Sequence, residues 1–275
     1  MRIITDDGVE LAVEVRGEGP ALLLVHGFGG AKEDFFDHLD QLAESHRVAT
    51  FDHRGHGASG RPDTLEGYSL DRMRADVLCV ADALGFERFR LLGHSMGGMV
   101  TRRIAIDHPH RVEAHIFMDT SAGPLPGVDP ELLELGARIA IDEGKAALKA
   151  ALDSLGSPLD NPAYERVLRE RPGYQEFVDR KWDDLSHLMW AAMARAIAYQ
   201  PDDHVDLATL GIPVLVLVGE LDTPFHGPSR RIAETVPGAR YAMIEGAGHS
   251  PQFENPDAWY RELTEFLASL PEKVG

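Results

Sequence analysis

The sequence predicts an α/β fold, a mainly parallel central sheet flanked by helices on both faces, with a helical piece inserted part-way along the chain. Three observations predict it. Short runs of aliphatic and β-branched residues alternate with amphipathic stretches up to about residue 120. Over residues 121–205 the alternation stops, and helical segments follow one another with no convincing strand between them. From about residue 206 it returns. The expected organisation is a core built from 1–120 and 206–275, carrying a helical cap or lid over 121–205.

Taken in order, Val9 to Arg16 alternates like a strand at the sheet edge, and Ala21 to Val25 (ALLLV) is the continuous apolar run that a strand buried on both faces needs. Ala31 to Glu44 reads as a helix and Arg47 to Asp52 as the next strand. Ser69 to Leu84 is helical, with apolar spacing at Met73, Val77, Val80 and Leu84. Phe89 to Leu92 is a strand, and Met96 to His108 a helix stopped by Pro109. Arg111 to Met118 closes the first set of strands. Within the insertion, Asp129-Pro130 and Asn161-Pro162 put a capping residue before a proline at the first helical position. Beyond it come a strand at Pro213 to Val218, a helix around Ser229 to Thr235, a strand at Arg240 to Ile244 and a helix from Asp257 to Leu270.

Composition removes several function classes. An apolar fraction of 44% with 26% charged residues is that of a globular chain, and no run approaches the roughly 18 apolar residues of a membrane helix. The acidic, alternating start MRIITDDGVELAVEV lacks a secretory pattern, so a cytoplasmic location is expected. A formal charge of −18 would repel polyphosphate and argues against nucleic-acid partners. The one cysteine, Cys79, forbids an intrachain disulfide and is expected to be a buried small hydrophobe.

Phe89 to Gly98 (FRLLGHSMGG) runs from an apolar strand through G-x-S-x-G directly into a helix. Alone the pattern could be a plain glycine-rich turn. Between strand and helix it describes a sharp turn that holds Ser95 in a strained conformation, with Gly93 and Gly97 where side chains would collide across the bend. The hydroxyl would then project above the carboxyl end of the sheet, beside the first amides of the helix.

Gly93-His94-Ser95-Met96-Gly97-Gly98 resembles the nucleophile elbow of the α/β-hydrolase superfamily. Four further segments are similar to family patterns: His26 to Gly30, Asp52 to Ser59, Gly219 to Asp222 and Gly246 to Ser250. The resemblance spans the core and leaves out the insertion. It implies a serine nucleophile, and an unassisted serine hydroxyl is weak, so a base within hydrogen-bond reach and a group that orients the base are required. His249 as base and Asp222 as its orienting acid both follow strands on the Ser95 side, in the family's chain order. Asp222 could instead cap a helix before Pro224, and His249 could be a solvent-facing loop residue. By analogy with the family, the backbone amides of Phe28 and Met96 form the oxyanion hole, although the glycines around Phe28 would also suit a tight strand-to-helix connection. Asp52, Arg54, Gly55, Gly57 and Ser59 resemble a motif that shapes a neighbouring turn.

No cofactor is expected, because the first glycine-rich loop lacks G-x-G-x-x-G spacing, and no metal, because His26, His53 and His56 match no compact zinc pattern. The resemblance implies a small ester-like substrate, cleaved as a carboxylic ester, lactone or thioester through an acyl-enzyme on Ser95. An aspartate at the elbow would imply dehalogenase or epoxide hydrolase chemistry. Carbon–carbon hydrolases of ring-fission products share the Ser-Met-Gly-Gly elbow, but usually carry tryptophan where Ser250 stands. The resemblance also extends to cofactor-free haloperoxidase-like enzymes, and to a catalytically silent relative that would only bind a small molecule. The insertion offers Leu132, Leu135, Ile139, Phe177, Trp182, Leu188, Met189, Trp190 and Met193 as core or pocket walls, and a mainly apolar pocket is expected.

Overall fold

The computed structural model describes residues 1–125, 129–156 and 159–271. Residues 126–128 and 157–158 of the expected insertion, and 272–275 of the expected core, lie outside the described residues. The strands are β1 (Arg2–Ile4), β2 (Glu10–Arg16), β3 (Ala21–Val25), β4 (Arg47–Phe51), β5 (Phe89–His94), β6 (Val112–Met118), β7 (Val214–Gly219) and β8 (Arg240–Ile244). Among the described residues they form one eight-stranded sheet in the order β1-β2-β4-β3-β5-β6-β7-β8. The two pairings that involve β2 are antiparallel, and from β4 to β8 every neighbour is parallel. The chain thus has an α/β-hydrolase fold, with helices on both faces of the sheet.

Burial on both faces explains the unbroken apolar runs. In β3, Leu22 and Leu24 join one core with Leu39 of α1 (Phe36–Ala43) and Trp259 of α12 (Pro256–Ala268). Leu23 and Val25 point the other way, toward Met73 and Val77 of α2 (Leu70–Ala83) and Val100 of α3 (Met96–Asp107). Between β6 and β7 lie α4 (Pro130–Asp142), α5 (Lys145–Leu155), α6 (Pro162–Glu170), α7 (Tyr174–Asp183) and α8 (His187–Ala198), and then the short α9 (His204–Leu207). Asp129 caps α4 by accepting from the Glu131 amide, and Asn161 caps α6 by accepting from the amides of Ala163 and Tyr164, as the Asp-Pro and Asn-Pro pairs predict. Among the described residues no helix is long and apolar enough to cross a membrane.

Four local expectations need correction. The edge strand is β1, not Val9 to Arg16, because β2 is paired on both sides. The helix expected over Ala31 to Glu44 opens as a 3-10 turn at Lys32–Phe35, where Asp34 accepts from the Ala31 amide and Asp52 from the Lys32 amide. Helix α10 (Thr223–Thr235) begins six residues before Ser229, since Pro224 in its first turn sacrifices no helical bond. Cys79 is only half-buried, its thiol near the Ile4 carbonyl.

Candidate active site

Strand β5 ends at His94, and Ser95 stands at the junction with α3 with φ 52° and ψ −120°. A non-glycine residue there carries roughly 1–3 kcal/mol of strain, so the surroundings must hold it. They do so from several sides. The Ser95 amide donates to the Met118 carbonyl (2.9 Å), and the Ser95 carbonyl accepts from Thr120 Oγ1 (2.6 Å) and the Gly98 amide (2.9 Å). A Cβ at Gly97 would run into the carbonyls of Val25 and His26 at the end of β3, so only glycine lets the helix start this close to the sheet. Met96 is the first residue of α3, and its amide has no partner within the helix by helical geometry.

Strand β7 ends at Gly219 and β8 at Ile244, and each leads into a short turn on the same rim of the sheet. Asp222, 2% exposed, follows the first, and His249 follows the second. His249 Nδ1 lies 2.8 Å from Asp222 Oδ2. A proton on Nδ1 facing that carboxylate leaves Nε2 free to accept one. The two turns are tied together, because the Leu221 amide donates to the Ala247 carbonyl (2.7 Å). Glu254, in the short α11 (Pro251–Glu254), accepts from the Gly248 amide (2.5 Å) and the Ser250 amide (3.2 Å), bracing the loop around His249. His94, beside Ser95, donates from Nε2 to the His249 carbonyl (2.7 Å), so the elbow itself positions the histidine loop. Burial, aided by the neighbouring His249, pushes His94 down to about 3 and keeps it neutral in that role.

Phe28 comes in on the loop after β3. A Cβ at Gly27 would sit 2.9 Å from the Ser95 Cβ, so the absence of a side chain lets this loop close against the elbow. Its shape is set by buried imidazoles. His26 Nε2 accepts from the His53 amide (3.0 Å), which places its proton on Nδ1, donated to the Gly27 carbonyl (2.8 Å). His56 Nε2 accepts from the Gly29 amide (3.2 Å), and its Nδ1 donates to the Arg54 carbonyl (3.2 Å). Both rings of this pair are neutral, burial pushing His26 well below its ordinary value and His56 down to about 4. Asp52 accepts from the amides of Lys32 and Ala58, and Arg54 is buried in a two-pronged pair with Asp76 (2.7 and 2.6 Å).

A cavity of about 340 Å³ opens beside His249, with Phe28, Trp182, Trp190, Tyr174 and Lys181 among its walls. Trp182 and Trp190 come from the aromatic residues of the insertion, and Trp190 meets the Phe28 ring edge-on at 5.8 Å. The lining is mainly apolar, with some polar groups among it. Lys181, whose Nζ pairs with Asp34 (2.9 Å), and the two tyrosines Tyr164 and Tyr174 bring polar groups into it.

Sequence reasoning missed one group at this rim. Asp119 directly follows β6, is fully buried at φ 46°, and accepts from the Gly219 amide (2.8 Å) through Oδ1. Carboxylate oxygens of Asp119 and Asp222 and a ring nitrogen of His249 all lie within 4.8 Å of one another. Burial, and then the adjacent Asp222, push the Asp119 carboxyl well above its ordinary value. The signal available in the sequence was an aspartate at the carboxyl end of the strand that lies between those leading to Ser95 and Asp222.

Sheet order brings these residues together, for β5, β6, β7 and β8 are successive neighbours and each delivers one of Ser95, Asp119, Asp222 and His249 at its carboxyl end. Comparison with known proteins agrees with that architecture. The chain is similar to the enol-lactonase from Burkholderia xenovorans LB400, with 26% identity, a TM-score of 0.85 and coverage of 98% of this chain and 100% of that one. It is also similar to a thermophilic esterase from Thermogutta terrifontis, at 27% identity, a TM-score of 0.78 and 98% of both chains. Epoxide hydrolase A of Mycobacterium tuberculosis is 29% identical over 98% of this chain and 97% of its own length. The family model for the alpha/beta hydrolase fold matches residues 20–256, and with the topology above this chain belongs to that family.

Proposed function

We propose that the protein is a serine hydrolase that cleaves carboxylic esters, lactones included, through an acyl-enzyme on Ser95. One observation carries the reading: the imidazole of His249 is bonded to a buried carboxylate at 2.8 Å, on the rim where Ser95 occupies a strained strand-to-helix turn. In the mechanism His249 Nε2 takes the hydroxyl proton as Ser95 Oγ bonds to the carbonyl carbon, and Asp222 stabilises the resulting imidazolium. The carbonyl oxygen becomes an anion facing the amides of Phe28 and Met96, each such donor being worth about 10²–10³ in rate. Collapse breaks the ester bond, and the leaving alkoxide takes the proton from His249. Water then repeats the sequence on acyl-Ser95, releasing the acid and restoring the hydroxyl.

The relatives support carbonyl substrates, since an enol-lactonase and an esterase share the fold at more than 25% identity. Serine rather than aspartate at the elbow favours them over the epoxide chemistry of the third relative. In this reading the helices between β6 and β7 form a lid that supplies the far wall of the 340 Å³ cavity, which suits a small to medium acyl or aromatic ester. The test is labelling with a fluorophosphonate, which should modify Ser95 and leave Ser95→Ala untouched. Hydrolysis of nitrophenyl esters and lactones should fall by roughly 10⁴-fold or more in that variant. Equal labelling or equal turnover in both proteins would refute the assignment.

A further inference from the structure

We propose that Asp119 is a positioning residue of this site: a protonated carboxylic acid whose O–H donates a hydrogen bond to the Asp222 carboxylate, and that carries the negative charge behind His249 when Asp222 cannot. The proposal rests on the reading of Ser95, His249 and Asp222 given above. It begins with two orphaned atoms. Asp119 uses Oδ1 for the Gly219 amide, and its Oδ2 is buried with no partner. Asp222 uses Oδ2 for His249, and its Oδ1 is likewise buried with no partner. Carboxylate oxygens of the two residues lie within 4.8 Å, and two carboxyl groups this close and this deeply buried cannot both be anions. One proton between them satisfies both atoms at once.

Placement of the proton follows from the neighbours. Asp222 faces an imidazole that becomes cationic during turnover, which favours the anion there. Asp119 faces an amide, and the titratable groups around it are Asp222, Glu254, His249 and Tyr241, of which both acids oppose its ionisation. The acid form therefore resides on Asp119, and Asp222 keeps its charge. Backbone geometry points the same way. Asp119 is held in a left-handed conformation that a side chain rarely adopts, fixed by its amide's bond to the Leu217 carbonyl (2.9 Å) and by the Gly219 amide on its own Oδ1. The strained backbone thus holds this carboxyl beside Asp222.

A neutral carboxyl has an amide isostere. In Asp119→Asn the oxygen can still accept from Gly219 and the NH2 can still donate to Asp222, but more weakly, so Asp222 becomes more basic and better able to stabilise the imidazolium. Ester hydrolysis by this variant should stay within about threefold of wild type, with the acidic limb of the kcat/KM profile moved up by about half a pH unit. Asp119→Leu strands Asp222 Oδ1 and should lose about tenfold or more. In Asp222→Asn the repulsion is gone, Asp119 ionises, and its carboxylate lies within 4.8 Å of the imidazole. That variant should lose only about 10²-fold, against the roughly 10⁴-fold seen where nothing replaces a triad carboxylate. Asp119→Asn/Asp222→Asn should then fall by a further factor of about 10².

The experiment measures those four variants together with the infrared difference spectrum of Ser95→Ala against Ser95→Ala/Asp119→Asn at pH 7. A protonated carboxyl C=O band assigned to Asp119 is expected in the first and not the second. This readout needs no turnover, so failure of Ser95 to take a fluorophosphonate would sink the hydrolase reading while the band upheld the shared proton. Equal activity of Asp222→Asn and the double variant would overturn the reserve role. Absence of the band, or a stoichiometric divalent metal between the carboxylates of the purified protein, would overturn the proton sharing.

Discussion

A single missing side chain at Gly27 sets how closely the Phe28 loop approaches Ser95. The added methyl of Gly27→Ala would lie 2.9 Å from the Ser95 Cβ and 3.2 Å from the His94 carbonyl, both of them held in place by the elbow. The loop must therefore yield, and with it the Phe28 amide. If the Phe28 amide has the oxyanion role proposed for it, the expected result is a loss of about 10²-fold in kcat with KM changed far less, since such a donor acts mainly in the transition state. Steady-state kinetics on a nitrophenyl ester would decide it, and a variant altered mainly in KM would place the loop in substrate binding instead. Arg54 and Asp76 pose a question of stability rather than rate. Both side chains are essentially inaccessible, so Asp76→Leu leaves the buried guanidinium with Asp7 as its remaining carboxylate partner and should cost about 3 kcal/mol. Arg54→Met/Asp76→Leu should recover much of that loss in urea unfolding, whereas additive losses would mean the pair is worth more than the packing that replaces it. At this scale the sequence was readable where chemistry leaves a local pattern. Ser95 sits in G-x-S-x-G, and Asp222 and His249 follow strands in the right order. Asp119 has no such pattern, because its significance lies in which oxygen it faces across the sheet, and Lys181, Tyr164 and Tyr174 reach the cavity only through the packing of α6 and α7.

Helix α3 does more than present Ser95 at its first turn. At its middle Arg102, fully buried, donates to the Ser121 carbonyl (2.8 Å) at the start of the inserted segment, and to Gln200 (2.7 Å) and Asp203 (2.8 Å) at its end. The Asp203 amide in turn donates to the Ala122 carbonyl (2.8 Å), so both stems of the helical segment are fastened to the helix that starts at Ser95. Arg102→Met keeps the apolar stem and removes these bonds, which should cost about 3 kcal/mol. The loss should be local. Limited proteolysis is expected to cut between residues 121 and 203 well before the rest of the chain, and KM for the ester should rise as the wall holding Trp182 and Trp190 loosens. Uniformly faster digestion of the whole chain would show that Arg102 supports the core and not the segment. Element boundaries were legible where a cap or a proline marks them, as at Asp129 and Asn161. They were misread where tertiary contacts override the local signal, as at Lys32, whose amide is claimed by Asp52, and at β1, whose three residues show no period of their own.

Over the whole molecule two electrostatic effects run in opposite directions as the solution is acidified. A formal charge of −18 means self-repulsion that eases once carboxylates take up protons, mostly below about pH 4.5. Buried histidines act earlier. Burial pushes His26 and His53 well below their ordinary value, His46 and His56 down to about 4, and His94 and His115 down to about 3. The unfolded chain, where each titrates near 6.5, therefore binds more protons than the native one once the pH drops below that value. The histidines' contribution to stability is full above about pH 6.5 and is lost progressively toward the depressed folded values. At about 1 kcal/mol per histidine by pH 5.5 the six together remove several kcal/mol, a large part of the roughly 5–15 kcal/mol that keeps a domain folded. Between pH 6.5 and 5.5 ordinary carboxylates have barely begun to titrate, but the buried Asp119, pushed well above its ordinary value, and Asp76, pushed up to about 6, act in the opposite direction and offset part of the histidine effect. Urea midpoints should accordingly fall from pH 6.5 to 5.5, the six histidines outweighing the two buried acids. A midpoint that rises over that interval would mean that protonation of the acidic groups outweighs the neutral imidazoles that shape the Phe28 loop and hold the His249 carbonyl.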